Sequence, residues 1–302
     1  MKSALLFLVF NRPDTTARVF EAIRAAQPPR LYVAADGPRA SRVGEDERCA
    51  LTRRVASAVD WPCSTETLFR PTNLGCKNAV SSAISWFFEH EKEGVILEDD
   101  CLPDPSFFRY CDELLERYRD NPRVGLISGD NFQFGKTHGA SSYYFSRYMH
   151  IWGWASWRRA WSRYDRDCAS WPAFRDGGGL ERVPGMSRRE IRYWGSIFDR
   201  VHANGIDTWD YQLVLAMWSH QMLSVLPQQN LISNIGFGAE ATHTSAVSKF
   251  ANLPVSPIRF PLQHPTSVVV CDEADRRTAA EMFVPPLSNR VISRLRALAQ
   301  AI

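Results

Sequence analysis

The sequence predicts an α/β fold in which a mostly parallel central sheet is flanked by helices. Residues 4–10 and 31–35 are continuously apolar, which is typical of parallel strands that are covered on both faces. Along the first half, such segments alternate with segments of helical length, an order that builds parallel sheets. Polar residues directly follow the strands, and ligands of these sheets gather at the carboxyl ends of the strands.

The elements can be placed in order along the chain. Strands are predicted at residues 4–10, 31–35, 67–69, 95–97 and 124–128. Helices are predicted at residues 15–26, 43–59, 75–91, 106–119, 193–202 and 206–218. Asp14 stands in front of the first helix, where its carboxylate is expected to cap the helix N-terminus.

Composition limits the classes of protein to which the chain can belong. Its 302 residues, 45% of them hydrophobic, suffice for one large domain or two small ones with a full core. The formal net charge of +3 and the absence of a long basic run argue against nucleic acid as a partner. Seven scattered cysteines without a C-x-x-C pair disfavour a zinc site and a disulfide scaffold, so reduced thiols in a cytoplasm are expected.

Two segments bear on contact with a membrane. The apolar run at residues 4–10 is shorter than the roughly 20 apolar residues of a membrane span, and no cleavage region follows it. We therefore interpret it as a buried strand and expect a cytoplasmic protein. Residues 284–302 form a basic amphipathic tail, which fits either peripheral contact with the inner face of a membrane or packing on the parent domain.

Three adjacent carboxylates, Glu98, Asp99 and Asp100, directly follow the strand at residues 95–97. Such side chains repel one another and lose hydration at the end of a buried strand, so the cluster persists most easily where a cation neutralises it. Carboxylate oxygens are hard ligands, which indicates Mn²⁺ or Mg²⁺, with phosphate oxygens of a substrate and water completing the coordination. The alternative is a solvated acidic turn.

Polar residues follow other strands in the same way. Asn11 and Arg12 follow the first strand, Asp36 the second and Asp130 the fifth. Each has an ordinary explanation as a turn residue, but their coincidence at one edge of a parallel sheet favours a ligand site. The chain has no G-x-G-x-x-G after the first strand and no G-x-x-x-x-G-K-[ST], which disfavours a dinucleotide fold and a P-loop.

The second half carries more aromatic residues and further candidate groups. Trp152 and Trp154 belong to a tryptophan-rich run, whose indole faces either stack on sugar rings or fill a core. Asp207 and Asp210 precede an apolar run, so each is a candidate catalytic carboxylate or a helix cap. His243, in a glycine-rich segment, either reaches a pyrophosphate or its metal or has a structural role.

Together these segments resemble the nucleotide-diphospho-sugar transferases with the GT-A fold, in particular N-acetylglucosaminyltransferase I and the family 2 glycosyltransferases. Glu98-Asp99-Asp100 and the turn Pro105-Ser106-Phe107-Phe108 match that enzyme's Glu-Asp-Asp strand end and Pro-Asp-Phe-Phe turn. Trp152-Gly153-Trp154 matches a later Trp-Gly segment, and Trp209-Asp210 matches a Trp-Asp pair whose acid is the base. The order of elements agrees over residues 4–210, whereas the C-terminal portion matches poorly.

The resemblance implies a role for each candidate residue. Binding of a nucleotide-sugar donor is implied for Asn11, Arg12, Asp36, Lys77, Glu98 and Asp99. Among these, Arg12 would hold the phosphates, Asp36 the base and Asp99 the ribose, while Glu98 would meet the sugar. The family has a different residue at the position of Lys77. Metal binding is implied for Asp100. The residues themselves make His243 a further candidate for the metal, and Trp152, Trp154 and Asp130 candidates for acceptor binding.

The implied function is metal-dependent glycosyl transfer with inversion. The donor would be a nucleotide-diphosphate sugar, UDP-N-acetylglucosamine or a similar one. The acceptor would be a glycan or a lipid-linked oligosaccharide of bacterial surface polysaccharide or glycoconjugate assembly. Mn²⁺ or Mg²⁺ would neutralise the leaving diphosphate. Asp210, with Asp207 in reserve, would deprotonate the attacking hydroxyl.

Two rival functions and a domain scheme complete the expectations. A sugar nucleotidyltransferase is disfavoured because the turn Asn11-Arg12-Pro13-Asp14 lacks the glycines that cradle a triphosphate. An inactive carbohydrate-binding protein on the same scaffold is the other rival. We expect one GT-A domain at residues 1–283, with a nucleotide-binding half at 1–131 and an acceptor-side half at 132–283, followed by the tail. The sequence does not indicate an oligomeric state.

Overall fold

The structure, a computed structural model, describes residues 1–237 and 249–284. Its strands are β1 (Ala4–Val9), β2 (Arg30–Ala35), β3 (Ser64–Phe69), β4 (Glu93–Glu98), β5 (Cys101–Pro103), β6 (Val124–Ser128), β7 (Tyr143–Ser146), β8 (Trp154–Trp157), β9 (Leu223–Pro227) and β10 (Ile232–Asn234). Its α-helices are α1 (Pro13–Ala26), α2 (Glu45–Ala56), α3 (Gly75–His90), α4 (Ser106–Tyr118), α5 (Arg158–Trp161), α6 (Trp171–Asp176), α7 (Arg188–His202), α8 (Asp210–Ser219) and α9 (Asp272–Thr278).

The described residues form a large central sheet of eight strands, in the order β3-β2-β1-β4-β8-β6-β9-β7. The four strands β3, β2, β1 and β4 are parallel to one another, as are β6 and β9. A small antiparallel pair, β10 and β5, lies beside this sheet. The predicted α/β fold with a mostly parallel, helix-flanked sheet is confirmed.

The fifth predicted strand, β6, is not the parallel neighbour of β4. Instead β8 lies between them and runs antiparallel to both. All four residues of β8, which reads Trp-Ala-Ser-Trp, are buried. The tryptophan-rich run therefore supplies a central strand of the sheet, which a pattern of alternating strands and helices does not reveal.

The apolar strands are covered on both faces, as their composition predicts. Every residue of β1 is buried, and successive residues such as Leu6 and Phe7 belong to two different hydrophobic cores. In the register of the sheet, Leu8 pairs with Glu98 and Val9 with Ala35. The carboxyl ends of β1, β2 and β4 therefore meet at one level, which brings the residues that follow them together.

Helix boundaries differ from the predictions at the N-termini. Arg12, not Asp14, is the N-cap residue of α1, because Pro13 begins the helix without needing a hydrogen-bond partner for an N–H. Asp14 lies in the first turn. The helix α7 starts earlier than predicted, at a capping box formed by Ser187 and Glu190. The helix α8 starts later than predicted, at Asp210.

In the described part of the chain, no helix is both long enough and apolar enough to cross a bilayer. Apart from Val284, the predicted basic tail lies outside the described residues. The division at residue 131 stays a prediction, although strands from both predicted halves share the central sheet.

The packing of α3 on the sheet gives a test of the fold. Phe87 is fully buried and its ring meets that of Tyr32 edge-on at 5.1 Å. We expect Phe87→Ala to lower the free energy of unfolding by about 3–5 kcal/mol, since it removes a large core side chain. Urea unfolding followed by circular dichroism measures this. Leu51→Ala, at a position 41% exposed on α2, is the control and should change stability by less than about 1 kcal/mol. Equal losses in the two variants would contradict the packing.

Candidate functional site

A cavity of about 690 Å³ opens at the carboxyl ends of β1, β2 and β4. We call it the sheet-edge cavity. Among the described residues, its charged lining consists of Arg12, Asp36, Arg39, Arg70, Glu98, Asp99, Asp100, Asp207 and Asp210. Six of these nine side chains are carboxylic acids, so the wall is acidic overall.

Arg12 joins the acidic cluster to the end of β1. Its Nη2 lies 2.7 Å from Oδ1 of Asp99 and 3.0 Å from Oδ2 of Asp100. Pro13 and the first turn of α1 fix its backbone, since the carbonyl of Arg12 accepts hydrogen bonds from the backbone N–H and the hydroxyl of Thr16. The guanidinium, whose side chain is 21% exposed, is thus aimed at the carboxylates from a rigid base.

Asp99 is the most enclosed of the three acids. Its second oxygen accepts the backbone N–H of Phe10 at 3.2 Å, so that this side chain ties β4 to β1. Burial raises the pKa of Asp99, against the opposing effect of Arg12. Burial, together with the charges of Asp100 and Asp99, likewise raises the pKa of Glu98. Burial therefore disfavours ionisation of both carboxyl groups, and positive charge nearby, such as that of Arg12 at Asp99, favours it.

Asp36, after β2, holds the loop that leads into α3. Its carboxylate accepts the backbone N–H of Gly37 at 2.8 Å, that of Leu74 at 2.9 Å and the side-chain amide of Asn73 at 2.9 Å. Partial burial raises the pKa of Asp36. The side chain lines the cavity and at the same time fixes its rim.

Asp210, the first residue of α8, also lines the cavity. The hydroxyl of Thr208 donates a hydrogen bond to its carboxylate. The preceding residue, Trp209, stacks on Trp154 with ring centroids 5.8 Å apart, and its carbonyl accepts the hydroxyl of Tyr164 at 3.0 Å. The start of α8 is thereby held in place by buried aromatic residues.

Asp207 has a different position, although it lies only three residues earlier. Its carboxylate accepts the backbone N–H groups of Cys76 at 3.2 Å and Lys77 at 3.0 Å, in the first turn of α3. A carboxylate at a helix N-terminus satisfies N–H groups that have no partner in the helix. The structure therefore gives Asp207 a bracing contact between α3 and the segment before α8.

The segment after β10 lies over the acidic cluster. A Cβ atom on Gly236 would stand 2.1 Å from Oδ2 of Asp100 and 2.6 Å from Nη1 of Arg12, so a larger residue there would displace this ion pair. Phe237 follows, and its ring meets that of Trp152 at 5.6 Å. Both aromatic side chains line the cavity. Trp152 is half-buried, and its contact with an acceptor stays a prediction.

Two residues expected to bind the nucleotide do not line the cavity. The amide of Asn11 donates to Glu45 at 2.8 Å, so it holds the start of α2. The ammonium of Lys77 points to Asp167 at 2.9 Å and to Asn204 at 2.8 Å, away from the acidic cluster. Both expectations are corrected for the same reason: each side chain is hydrogen-bonded to residues distant in sequence instead of facing the cavity.

Two residues expected to bind an acceptor are also placed elsewhere. Trp154 is 1% exposed and supports Trp209 from within the core. Asp130 is fully buried, and one of its oxygens accepts the backbone N–H of Trp152 at 2.8 Å. Neither lines the cavity, which corrects both expectations. His243 lies outside the described residues.

Sequence reasoning missed Arg39 and Arg70, the two other guanidinium groups of the cavity. Arg70 directly follows β3, so the rule on strand ends, extended to the third strand, would have found it. Arg39 follows β2 at a distance of four residues and pairs with the buried Glu45. Nothing in the local sequence distinguishes Arg39 from a surface arginine.

The cation that the resemblance implies can be tested against these side chains. Within residues 1–237 and 249–284, no three His, Cys, Asp or Glu side chains converge as a cation-binding group. Oδ2 of Asp100 is taken by Arg12, and Oδ1 accepts the thiol of Cys101 at 3.4 Å. Asp100 would supply one carboxylate to a bound cation, with phosphate oxygens and water as the other ligands, and in this structure that carboxylate is paired with Arg12.

No protein-family model and no curated protein matches the chain. Among solved structures, it is similar to apo UDP-glucose pyrophosphorylase, at 7% identity and a TM-score of 0.38, over 78% of this chain and 93% of that one. A UDP-glucose pyrophosphorylase complexed with UDP-glucose matches at 7% identity and a TM-score of 0.35, over 76% of this chain and 90% of that one. HddC from Yersinia pseudotuberculosis matches at 10% identity and 0.30, over 52% and 77%. A likeness this low carries no argument about activity.

Burial of Asp130 makes a prediction about pH. Burial raises the pKa of Asp130 well above its usual value, so the folded state keeps a proton that the unfolded state loses above about pH 4. The contribution of this group to stability is therefore complete in acid and falls as pH rises, by roughly 1.4 kcal/mol per pH unit. Asp130→Asn should match the wild type near pH 4 and exceed it in stability at pH 7.

Urea unfolding at several pH values measures this difference. Asp120→Asn, which changes an exposed carboxylate after α4, is the control and should show no such trend. A stability difference between Asp130→Asn and the wild type that stays constant between pH 4 and pH 7 would show that Asp130 is buried as an ion.

Proposed function

We propose that the chain is a transferase acting on a nucleotide-diphosphate sugar, and specifically a metal-dependent, inverting glycosyltransferase. The observation that carries the proposal is the sheet-edge cavity itself. Asp100 enters it from the end of β4 and Asp210 from the start of α8, so that two carboxylates face one space from separate elements. One suits a leaving diphosphate with its cation, and the other suits an attacking hydroxyl.

The charge of the cavity supports a donor that brings its own cation. Six carboxylic acids against three guanidinium groups make the described wall unfavourable for a bare diphosphate. Mn²⁺ or Mg²⁺ bound to the nucleotide would supply the missing positive charge and stabilise the diphosphate as it leaves. Arg12, which already lies at Asp99 and Asp100, is placed to bind a phosphate oxygen.

The proposed base is Asp210 rather than Asp207. A carboxylate that accepts the proton of the acceptor hydroxyl must present a free lone pair to the cavity. Both oxygens of Asp207 accept N–H groups at the N-terminus of α3. Asp210 is chosen for its position, since the start of α8 and the stack of Trp209 on Trp154 hold it at the cavity wall. Direct displacement by a hydroxyl on the face opposite to the diphosphate inverts the anomeric carbon.

Trp152 and Phe237 are proposed to contact the acceptor. Their rings line the cavity close to each other, and aromatic faces pack well against the C–H faces of sugar rings. The proposed acceptor is a glycan or a lipid-linked oligosaccharide of bacterial surface assembly.

Sugar nucleotidyl transfer, the activity that the name UDP-glucose pyrophosphorylase denotes, is the second candidate. It shares the need for a nucleotide-sugar site at this sheet edge. Its attacking group is a sugar phosphate, which is already anionic and needs no base. A second anionic substrate would also have to approach Glu98, Asp207 and Asp210, and this wall disfavours it. Glycosyl transfer is therefore our first choice.

A panel of nucleotide sugars with Mn²⁺ separates the candidates. We expect the protein to release a nucleoside diphosphate from one of these donors, slowly with water and faster with a glycan acceptor. Formation of pyrophosphate from a nucleoside triphosphate and a sugar phosphate would instead establish the second candidate. Binding of a glycan without turnover of any donor would leave only a carbohydrate-binding protein.

Asp210→Asn tests the base. We expect the rate of sugar transfer to fall by about 10²–10⁴-fold, since the variant lacks a proton acceptor, while the affinity for the donor stays nearly unchanged. The comparison is Asp207→Asn, which should keep more activity than Asp210→Asn and lose thermal stability. A transfer rate that Asp210→Asn leaves intact would exclude this residue.

Asp100→Asn tests the carboxylate proposed for the cation. In the presence of Mn²⁺, calorimetric titration should show nucleoside diphosphate binding weakened at least about tenfold, or about 1.4 kcal/mol. The same titration in EDTA is the control and should show no such loss, since without the cation Asp100 does not help to hold the diphosphate. Equal affinities of variant and wild type with Mn²⁺ would remove Asp100 as a ligand.

A further inference from the structure

The ion pair between Arg12 and Asp100 occupies the place that the proposed cation needs. Oδ2 of Asp100 lies 3.0 Å from the guanidinium, and the backbone of Gly236 closes over both side chains. Only 14% of the Asp100 side chain is exposed. A divalent ion therefore has to compete with the guanidinium for this oxygen while the ion pair is intact.

The same guanidinium can also serve a diphosphate. Its Nη2 holds both Asp99 and Asp100, and the side chain borders the cavity. Guanidinium groups form strong, charge-assisted hydrogen bonds to phosphate oxygens, and phosphate competes with carboxylate for them. When a phosphate takes Arg12, Asp100 loses its positive partner and becomes available to a cation.

We propose that Arg12 is an internal substitute for the cation, exchanged when the nucleotide binds. In the free protein, Arg12 neutralises Asp99 and Asp100. On binding, the guanidinium passes to the phosphate oxygens and the cation carried by the nucleotide takes its place at Asp100. The exchange breaks the contacts of the guanidinium with Asp99 and Asp100. The divalent cation bound at Asp100 then faces both carboxylates with its charge of +2, and the guanidinium pairs with the phosphate.

This inference rests on the proposed function and extends it to the order of binding. The free protein binds the divalent ion weakly, and the ion and the nucleotide bind together. Asp99 and Asp100 have the oxygens to bind a divalent ion, but in the free protein the guanidinium of Arg12 occupies them. Removal of Arg12 should therefore open the site to the ion alone.

The test is titration of the protein with Mn²⁺, read from the electron paramagnetic resonance signal of the free ion. For the wild type we expect binding at least tenfold tighter with UDP or GDP present than without. For Arg12→Met without nucleotide, we expect Mn²⁺ to bind at least tenfold more tightly than it binds to the wild type. The double variant Arg12→Met/Asp100→Asn should return to the weak binding of the wild type.

Arg30→Met is the matched control. Arg30 also pairs with a largely buried carboxylate, Glu91, but at the opposite end of β2 from the cavity. It should gain no affinity for Mn²⁺. Circular dichroism verifies folding, and Arg12→Gln, which keeps a hydrogen-bond donor for Asp99, should show the same gain as Arg12→Met.

The outcomes separate the two proposals. Unchanged Mn²⁺ affinity in folded Arg12→Met and Arg12→Gln would overturn the exchange, even if the wild type transfers sugar. Mn²⁺ binding to the wild type that is equally tight with and without a bound nucleotide would overturn it as well. A gain in both variants, in a protein that turns over no nucleotide sugar, would support Arg12 as the internal cation and reject the proposed transferase.

Discussion

The contact of Arg12 with Asp99 and Asp100 is the constraint on which the cavity depends. Three acids in a row at the end of a buried strand would be costly without a positive partner. Arg12 supplies that partner from the end of β1, and Asp99 also binds the backbone N–H of Phe10. The same interactions that neutralise the acids therefore bind β1 to β4, and they fix the edge at which the cavity opens.

The start of α8, which lines the cavity at Asp210, is positioned by aromatic packing. Trp154 belongs to a central strand and stacks on Trp209, directly before Asp210. Asp207 braces the same segment against α3. Trp154, which the sequence suggested as a sugar contact, therefore acts indirectly: it packs against the segment that carries the candidate base. Trp152, two residues earlier, is the one that lines the cavity.

The sequence predicts the first half of the fold well and the second half poorly, for a physical reason. Strands such as residues 4–10 and the acids after β4 are local signals, since burial on both faces demands a continuous apolar run. The insertion of β8 between β4 and β6 depends on pairing between distant segments, which periodicity does not encode. The same holds for side chains: Lys77 and Asn11 sit near the predicted edge, but distant partners take them up.

The acidic lining of the cavity affects which form of the nucleotide can bind, the bare nucleotide or its metal complex. A wall with more carboxylic acids than guanidinium groups repels a diphosphate that arrives alone, although burial raises the pKa of Glu98 and Asp99 and so reduces their share of this negative charge. A divalent cation near these groups removes the repulsion and at the same time favours their ionised forms. In our proposal, affinity for the nucleotide is therefore conditional on the cation, and the acids that weaken binding of the bare nucleotide are the ones that make binding of its metal complex favourable.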